Sequence, residues 1–134
     1  MSVLKTFSVR TSDHIELVDI TSEIVEMVKE AGIAQGTLLV YTPHTTAGIT
    51  INENADPAVP QDIVRFIQEM VPHKNYFRHM EGNSPSHILS SLFSPSQLLI
   101  IENGRLLLGT WQGVFFCEFD GPRTRKVHLK IMVD

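Results

Sequence analysis

Between His79 and His87 the chain reads His-Met-Glu-Gly-Asn-Ser-Pro-Ser-His, a stretch holding two imidazoles, a carboxylate, an amide and two hydroxyls with no helical or strand period. Gly82 and Pro85 break any regular element between the histidines, so a bent chain can bring both rings to one point. A third imidazole, His44, sits in another unpatterned stretch, Thr42-Pro43-His44-Thr45-Thr46-Ala47-Gly48. Three histidines with an open fourth position are the ligand set of catalytic zinc, which polarises a bound oxygen or generates hydroxide near neutral pH. The same residues also fit an ordinary hydrogen-bonded turn, and spacing alone does not separate the two.

Around this core lie further polar candidates. Asn83 and Glu53 can support a metal or touch a substrate, Glu53 as acid or base; equally, Glu53 can cap the next helix and Asn83 can be a left-handed turn residue. Thr45, Thr46, Ser84 and the glycine-bounded Thr110-Trp111-Gln112 offer hydroxyls, an amide and open backbone N–H groups, the components of a phosphate or carboxylate pocket that Arg123 would complete. Trp111, the sole tryptophan, reads as a hydrophobic plug under a sheet or as a platform for a flat ligand. Arg123, Arg125, Lys126 and Lys130 make the last strand basic; they can hold a small anion but read first as a solvated strand face. His128 alternates outward on that strand and His73 follows a helix end, so neither is a first choice of ligand.

Composition bounds what such a site can serve. With 134 residues the chain forms one domain, 1–134, large enough to bury roughly two-thirds of its unfolded surface without staples. A net charge of −4 argues against a nucleic-acid partner, which calls for a basic excess or stripe. Neither a signal-peptide core nor a membrane-length apolar run is expected, and a lone cysteine, Cys117, among Phe115, Phe116 and Phe119 reads as a small buried thiol suited to the cytoplasm.

The elements that must position these groups follow from hydrophobic period. Val3, Phe7 and Val9 alternate, and Ile15 to Ile20 forms a second strand, the two reading as an opening hairpin. Ile24, Val25, Val28 and Ala31 share a helical face, with Thr21 as cap and Gly32 as stop. Residues 36–41 read as a central strand covered on both faces, which holds His44 at its end. Asp56 with Pro57 or Pro60 opens a second helix on Ile63, Phe66, Ile67 and Met70. Residues 73–87 lack a period, and a loop this long is usually functional or disordered; its histidines and asparagine favour function, and a short helix over 86–93 follows. Asn103-Gly104 marks a hairpin, Val114 to Phe119 another strand, and Val127, Leu129, Ile131 and Val133 a terminal one. The sum is an α+β fold of about eight mainly antiparallel strands in packed sheets, with two longer helices and a short third.

Four stretches together resemble the YjbQ-like family, small proteins that carry the name secondary thiamine-phosphate synthase. They are Pro43-His44-Thr45-Thr46-Ala47-Gly48, Asn52-Glu53-Asn54-Ala55-Asp56, His79-x-x-Gly82-Asn83-Ser84-x-x-His87, and Gly109-Thr110-Trp111-Gln112-Gly113 with Phe119-Asp120-Gly121-Pro122-Arg123. The resemblance implies an α+β fold, a homotrimer, and a metal or anion site at the histidines close to a subunit boundary. It also implies a weak ability to join hydroxymethylpyrimidine diphosphate to a thiazole phosphate. Three histidines suit zinc better than magnesium, and no paired carboxylates for magnesium are evident. The expectation is a metal-dependent enzyme on a small phosphorylated or anionic substrate, with a non-catalytic trimeric module for a small anion or metabolite as the alternative.

Overall fold

The terminal strand carries the longest alternation in the chain and frames the rest. In the computed structural model, which describes Met1–Asp134, this strand spans Thr124–Val133 as β8 and buries Arg125, Val127, Leu129 and Ile131 on one side. It lies between β1 (Ser2–Arg10) and β3 (Gly36–Tyr41) in a five-stranded sheet completed by β5 (Ser96–Glu102) and β6 (Arg105–Leu106), in the order β1-β8-β3-β5-β6. A second sheet has the order β2-β7-β4, from β2 (Glu16–Asp19), β7 (Gln112–Glu118) and β4 (Ala47–Glu53). All pairings are antiparallel, and with three helices the fold is α+β as expected.

The main core lies between the sheets. Leu38, Val40, Leu99, Ile101, Val127, Leu129 and Ile131 meet Ala47, Ile49, Val114 and Phe116, and α1 (Thr21–Ala31) adds Ile24 and Val28. On its other face β7 turns Cys117 and Phe119 toward Ile67 of α2 (Ala58–Met70) and Leu89 of α3 (Ser84–Phe93). Strand β7 is therefore covered on both sides, which is why Gly113 to Phe119 are all buried. The Cys117 thiol is buried as expected, and desolvation pushes its ionisation far up, so it is an inert packing group.

Several local expectations are corrected. The first two strands are not a hairpin: β1 pairs with β8 and β2 with β7, because the chain after Arg10 crosses from one sheet to the other. Ile20, not Thr21, is the N-cap of α1; the Thr21 hydroxyl donates to Asp19 Oδ1 at 2.6 Å. Gly32 does end α1 in the left-handed region, at φ 65°. Val25, Phe66 and Met70 are exposed, because each helix rests on the sheets through a narrower stripe than the sequence pattern marks. Strand β3 is central, but only one face is fully covered: Leu38 and Val40 are buried whereas Tyr41 is exposed.

The unpatterned stretch ends earlier than expected. Helix α3 begins at Ser84, with Pro85 in its first turn, where a missing N–H costs nothing. His87 is thus a helical residue, and only His79 belongs to the loop. At Asn103-Gly104 the hairpin is as predicted, with both residues at positive φ (52° and 76°) between β5 and β6.

Candidate functional site

Strand parity aims Arg125 inward. It shares the face of Val127, Leu129 and Ile131, is 2% exposed, and meets Glu118, which is fully buried at the end of β7. The expected solvated face therefore holds for Lys126 but not for Arg125. The Arg125 Nε donates to Glu118 Oε1 at 2.9 Å, and its Nη2 donates to Glu118 Oε2 and to Thr46 Oγ1, the latter at 2.8 Å. Thr11 Oγ1 donates to Glu118 Oε1 at 2.8 Å, and the Asp120 amide donates to Oε2 at 3.1 Å. A buried charge is tolerated when it is paired and its remaining lone pairs are used, and both conditions are met here.

Above this pair opens a cleft of about 360 Å³ lined by Pro43, His44, Thr45 and Thr46 from the turn after β3, His79, Glu81 and Asn83 from the loop, His87 from α3, and Asp120, Arg123 and Arg125. The three predicted histidines thus converge, although they come from three separate segments. The rings of His79 and His87 stand edge to face with centroids 5.0 Å apart. His44 is oriented differently: its Nε2 accepts the backbone N–H of Lys126 at 2.9 Å. That bond fixes the neutral tautomer with the proton on Nδ1, so neither ring nitrogen offers a lone pair to a metal. Burial and then the Arg125 charge hold the His44 imidazole below its ordinary value of 6.5, which favours the same neutral form.

As they stand, these residues do not fit a three-histidine zinc shell. No group of three His, Cys, Asp or Glu side chains is arranged to hold a metal ion. The donor set instead suits an anion. Arg123 spends Nε and Nη2 on Asp120, at 2.9 Å to its carbonyl and 3.1 Å to Oδ2, which leaves Nη1 free. Arg125 likewise has Nη1 without a protein partner. With the His44 Nδ1–H, three residues of the lining keep a donor without a protein partner, and Pro43 is the one lining side chain that is not polar.

Asp120, which is not among the residues expected at the site, is a hub of it. Its Oδ2 accepts from Asn83 Nδ2 at 2.8 Å as well as from Arg123, and its Oδ1 lies 4.0 Å from His14 Nδ1. Gly121 lets the turn pack tightly: a Cβ there would meet the Asp13 carbonyl and come within 2.7 Å of Glu118 Cγ. Asn83 caps α3 by position but not by side chain, and the left-handed residue is Gly82, at φ 74°.

Of the other candidates, Thr45, Thr46 and Arg123 belong to the cleft, whereas Ser84, the first residue of α3, is not part of its lining. Glu53 pairs with Gln112 at the opposite end of the β4–β7 ladder from Ala47 and Glu118, six residues away or about 20 Å at 3.3 Å per residue. Thr110, Trp111 and Gln112 share that far end, so in one chain none of these four reaches the histidines. Glu53 does not cap α2 either; Asp56 Oδ1 accepts the Ala58 N–H at 2.9 Å. Trp111 is no plug, being 61% exposed, and Gln112 folds back so that its Oε1 accepts the Gly109 N–H at 2.8 Å.

Comparison with known proteins places this arrangement among relatives. A family model described as UPF0047 protein YjbQ-like matches residues 5–134. The chain is 53% identical over 131 residues to the UPF0047 protein YugU of Bacillus subtilis, covering 97% of this chain and 99% of that protein. It is 50% identical over 134 residues to the UPF0047 protein MJ1081 of Methanocaldococcus jannaschii, covering 100% and 97%. A crystal structure of an uncharacterised family protein from Clostridium acetobutylicum superimposes with a TM-score of 0.92 at 51% identity, over 96% of this chain and 99% of that one. A protein of unknown function from Sulfolobus solfataricus keeps the fold at 29% identity with a TM-score of 0.94, over 100% and 99%. Similarity over nearly the whole length, in sequence and in backbone alike, makes the chain a member of the UPF0047 YjbQ-like family.

Proposed function

We propose that the protein is an enzyme acting on a small phosphorylated or otherwise anionic substrate in the cleft of His44, His79, His87, Arg123 and Arg125. The observation that carries this reading is the convergence of three imidazoles and two guanidinium groups on one polar cleft. The free Nη1 groups and the His44 Nδ1–H neutralise and orient the anion. His79 and His87 stand where a proton can be given or taken, a step worth typically 10²- to 10⁴-fold in rate. Condensation of hydroxymethylpyrimidine diphosphate with a thiazole phosphate fits as a side activity of such a pocket, since any site that binds a diphosphate can assist its departure.

A second reading gives His79 and His87 to a divalent metal, zinc by preference for imidazole, and their adjacent rings favour it. His44 would join only by rotating away from the Lys126 amide. The two readings part in one experiment: a screen of phosphorylated metabolites with metal-stripped and zinc-refilled protein, beside elemental analysis. Turnover without metal that falls at least a hundredfold in His79→Ala or His87→Ala supports the first reading. Turnover only with one metal per chain supports the second, and binding without turnover under either condition makes the protein a non-catalytic module.

The protein also reads as a cytoplasmic homotrimer. Leu4, Tyr41, Leu98 and Ile100 are exposed on the outer face of the five-stranded sheet, where an apolar patch calls for cover. Glu53, Thr110, Trp111 and Gln112 take part in the chemistry only if a neighbouring subunit brings them to the cleft.

A further inference from the structure

Helix α1 turns Val25, Val28 and Lys29 to one side, since residues three and four apart share a helical face. Opposite them runs the β5–β6 hairpin, and between the two lies a pocket of about 500 Å³ with Val25, Val28, Leu106 and Leu108 as its apolar lining. Val28 is 2% exposed and both leucines are half-buried against the main core, so the floor of the pocket is the edge of that core. The hairpin wall is fixed in place: the Gly104 N–H donates to the Ala34 carbonyl at 2.9 Å and the Asn103 N–H to Gln35 Oε1 at 2.7 Å. A preformed cavity of about 300–1,000 Å³ with an apolar lining and a few polar groups is the form that small-molecule sites commonly take.

The charges at this pocket all have one sign. Lys29 and Arg105 belong to its lining and no aspartate or glutamate does, although acids outnumber Lys and Arg by 15 to 11 in the chain. Both cations are exposed, and neither forms an ion pair. Glu102, which pairs with Arg105 in the hairpin register, instead accepts from Gln35 Nε2 at 3.1 Å. Long basic side chains lay their stems along apolar surface and keep the charged head in water, which suits these two to the mouth of the pocket. The pocket stands at the Gly36–Ile101 end of the β3–β5 ladder, whereas His44 follows Tyr41 at the other end, and the two linings share no residue.

We propose that this pocket is a second binding site, for an amphipathic carboxylic acid whose alkyl or aryl body fills the space between α1 and the hairpin while its carboxylate meets Lys29 and Arg105. Charge-assisted hydrogen bonds hold the head, and burial against Val28, Leu106 and Leu108 holds the body. An alcohol of the same length gains only the second, and acetate only the first. The inference is independent of the anion reading of the histidine cleft.

Titration of the full chain with sodium octanoate, followed by amide proton–nitrogen correlation spectra, tests this. Saturable shifts are expected at residues 25–29 and 103–106, with 1-octanol binding there at least tenfold more weakly and acetate leaving these amides unmoved. Lys29→Gln with Arg105→Gln, both exposed positions, should weaken octanoate at least tenfold and change 1-octanol by less than twofold. Shifts confined to the histidine cleft, or no saturable shift at all, overturn the site. Equal binding of octanoate and 1-octanol overturns the acid as its ligand, and octanoate binding that survives in the double variant overturns the role of the two cations.

Discussion

Removing the Glu118 carboxylate while keeping Arg125 leaves a guanidinium that is 2% exposed beside a neutral amide. Breaking one side of such a buried pair costs about 3–5 kcal/mol. Glu118→Gln is therefore expected to lower stability in chemical denaturation by about that amount, and a loss below about 1 kcal/mol would mean that the pair is more hydrated than its burial indicates. Acid acts on the same groups. Burial alone would raise the Glu118 ionisation, but the hydrogen bonds from Arg125, Thr11 and Asp120 and the Arg125 charge outweigh it and hold the carboxyl below its ordinary 4.5. The unfolded chain then binds the proton more tightly than the folded one, so this stabilisation is complete above 4.5 and lost as pH falls through the lowered value. His44 behaves in the same direction one window higher: its contribution is complete above 6.5 and lost as pH falls through its lower folded value. Thermal midpoints measured from pH 7 downward should decline in these two windows, and the step beginning near 6.5 should shrink in His44→Gln.

The segments that hold the cleft are short and depend on close backbone approach. Gly121→Ala forces a methyl between the Asp13 carbonyl and Glu118 Cγ, and overpacking of this kind costs about 1–3 kcal/mol. The cost should appear as lower stability together with weaker ligand binding, since the displaced Asp120 orients both Asn83 and Arg123. A variant that loses stability but binds as the parent would detach the turn from the site. Much of this level was legible in the sequence. The two-residue hairpin at Asn103-Gly104, the stop at Gly32 and the central position of β3 follow from local chemistry and local period. So did the meeting of His44, His79 and His87, and the parity of β8 already put Arg125 on the core side with Val127, although its charge argued the other way. What local pattern does not carry is which strand pairs with which: β1 and β2 look like neighbours in sequence yet enter different sheets. For the same reason the distance from Glu53 to the histidines, set by the β4–β7 register, was not readable.

At the scale of the molecule, one sheet is covered on both faces by its partner sheet and by α2 and α3, whereas the larger sheet has its outer face open. Leu98 and Ile100 alternate outward on β5, at 63% and 50% exposure, next to Tyr41 and across the sheet from Leu4. If three copies bury this face, Leu98→Lys with Ile100→Lys should yield folded monomers by sedimentation, because neither side chain belongs to the core of its own chain. A parent that sediments as a stable monomer at micromolar concentration removes the assembly.

Trp111 gives the protein a natural optical probe with a defined address. As the sole indole, 61% exposed at the far end of the ladder from the histidines, it should emit at long wavelength like a solvated fluorophore in the isolated chain. Phosphate titrated into a monomeric variant should leave that emission unchanged, because some 20 Å of strand lies between dye and ligand. If the same titration into the assembled parent shifts or quenches the emission, the indole responding belongs to a neighbouring copy.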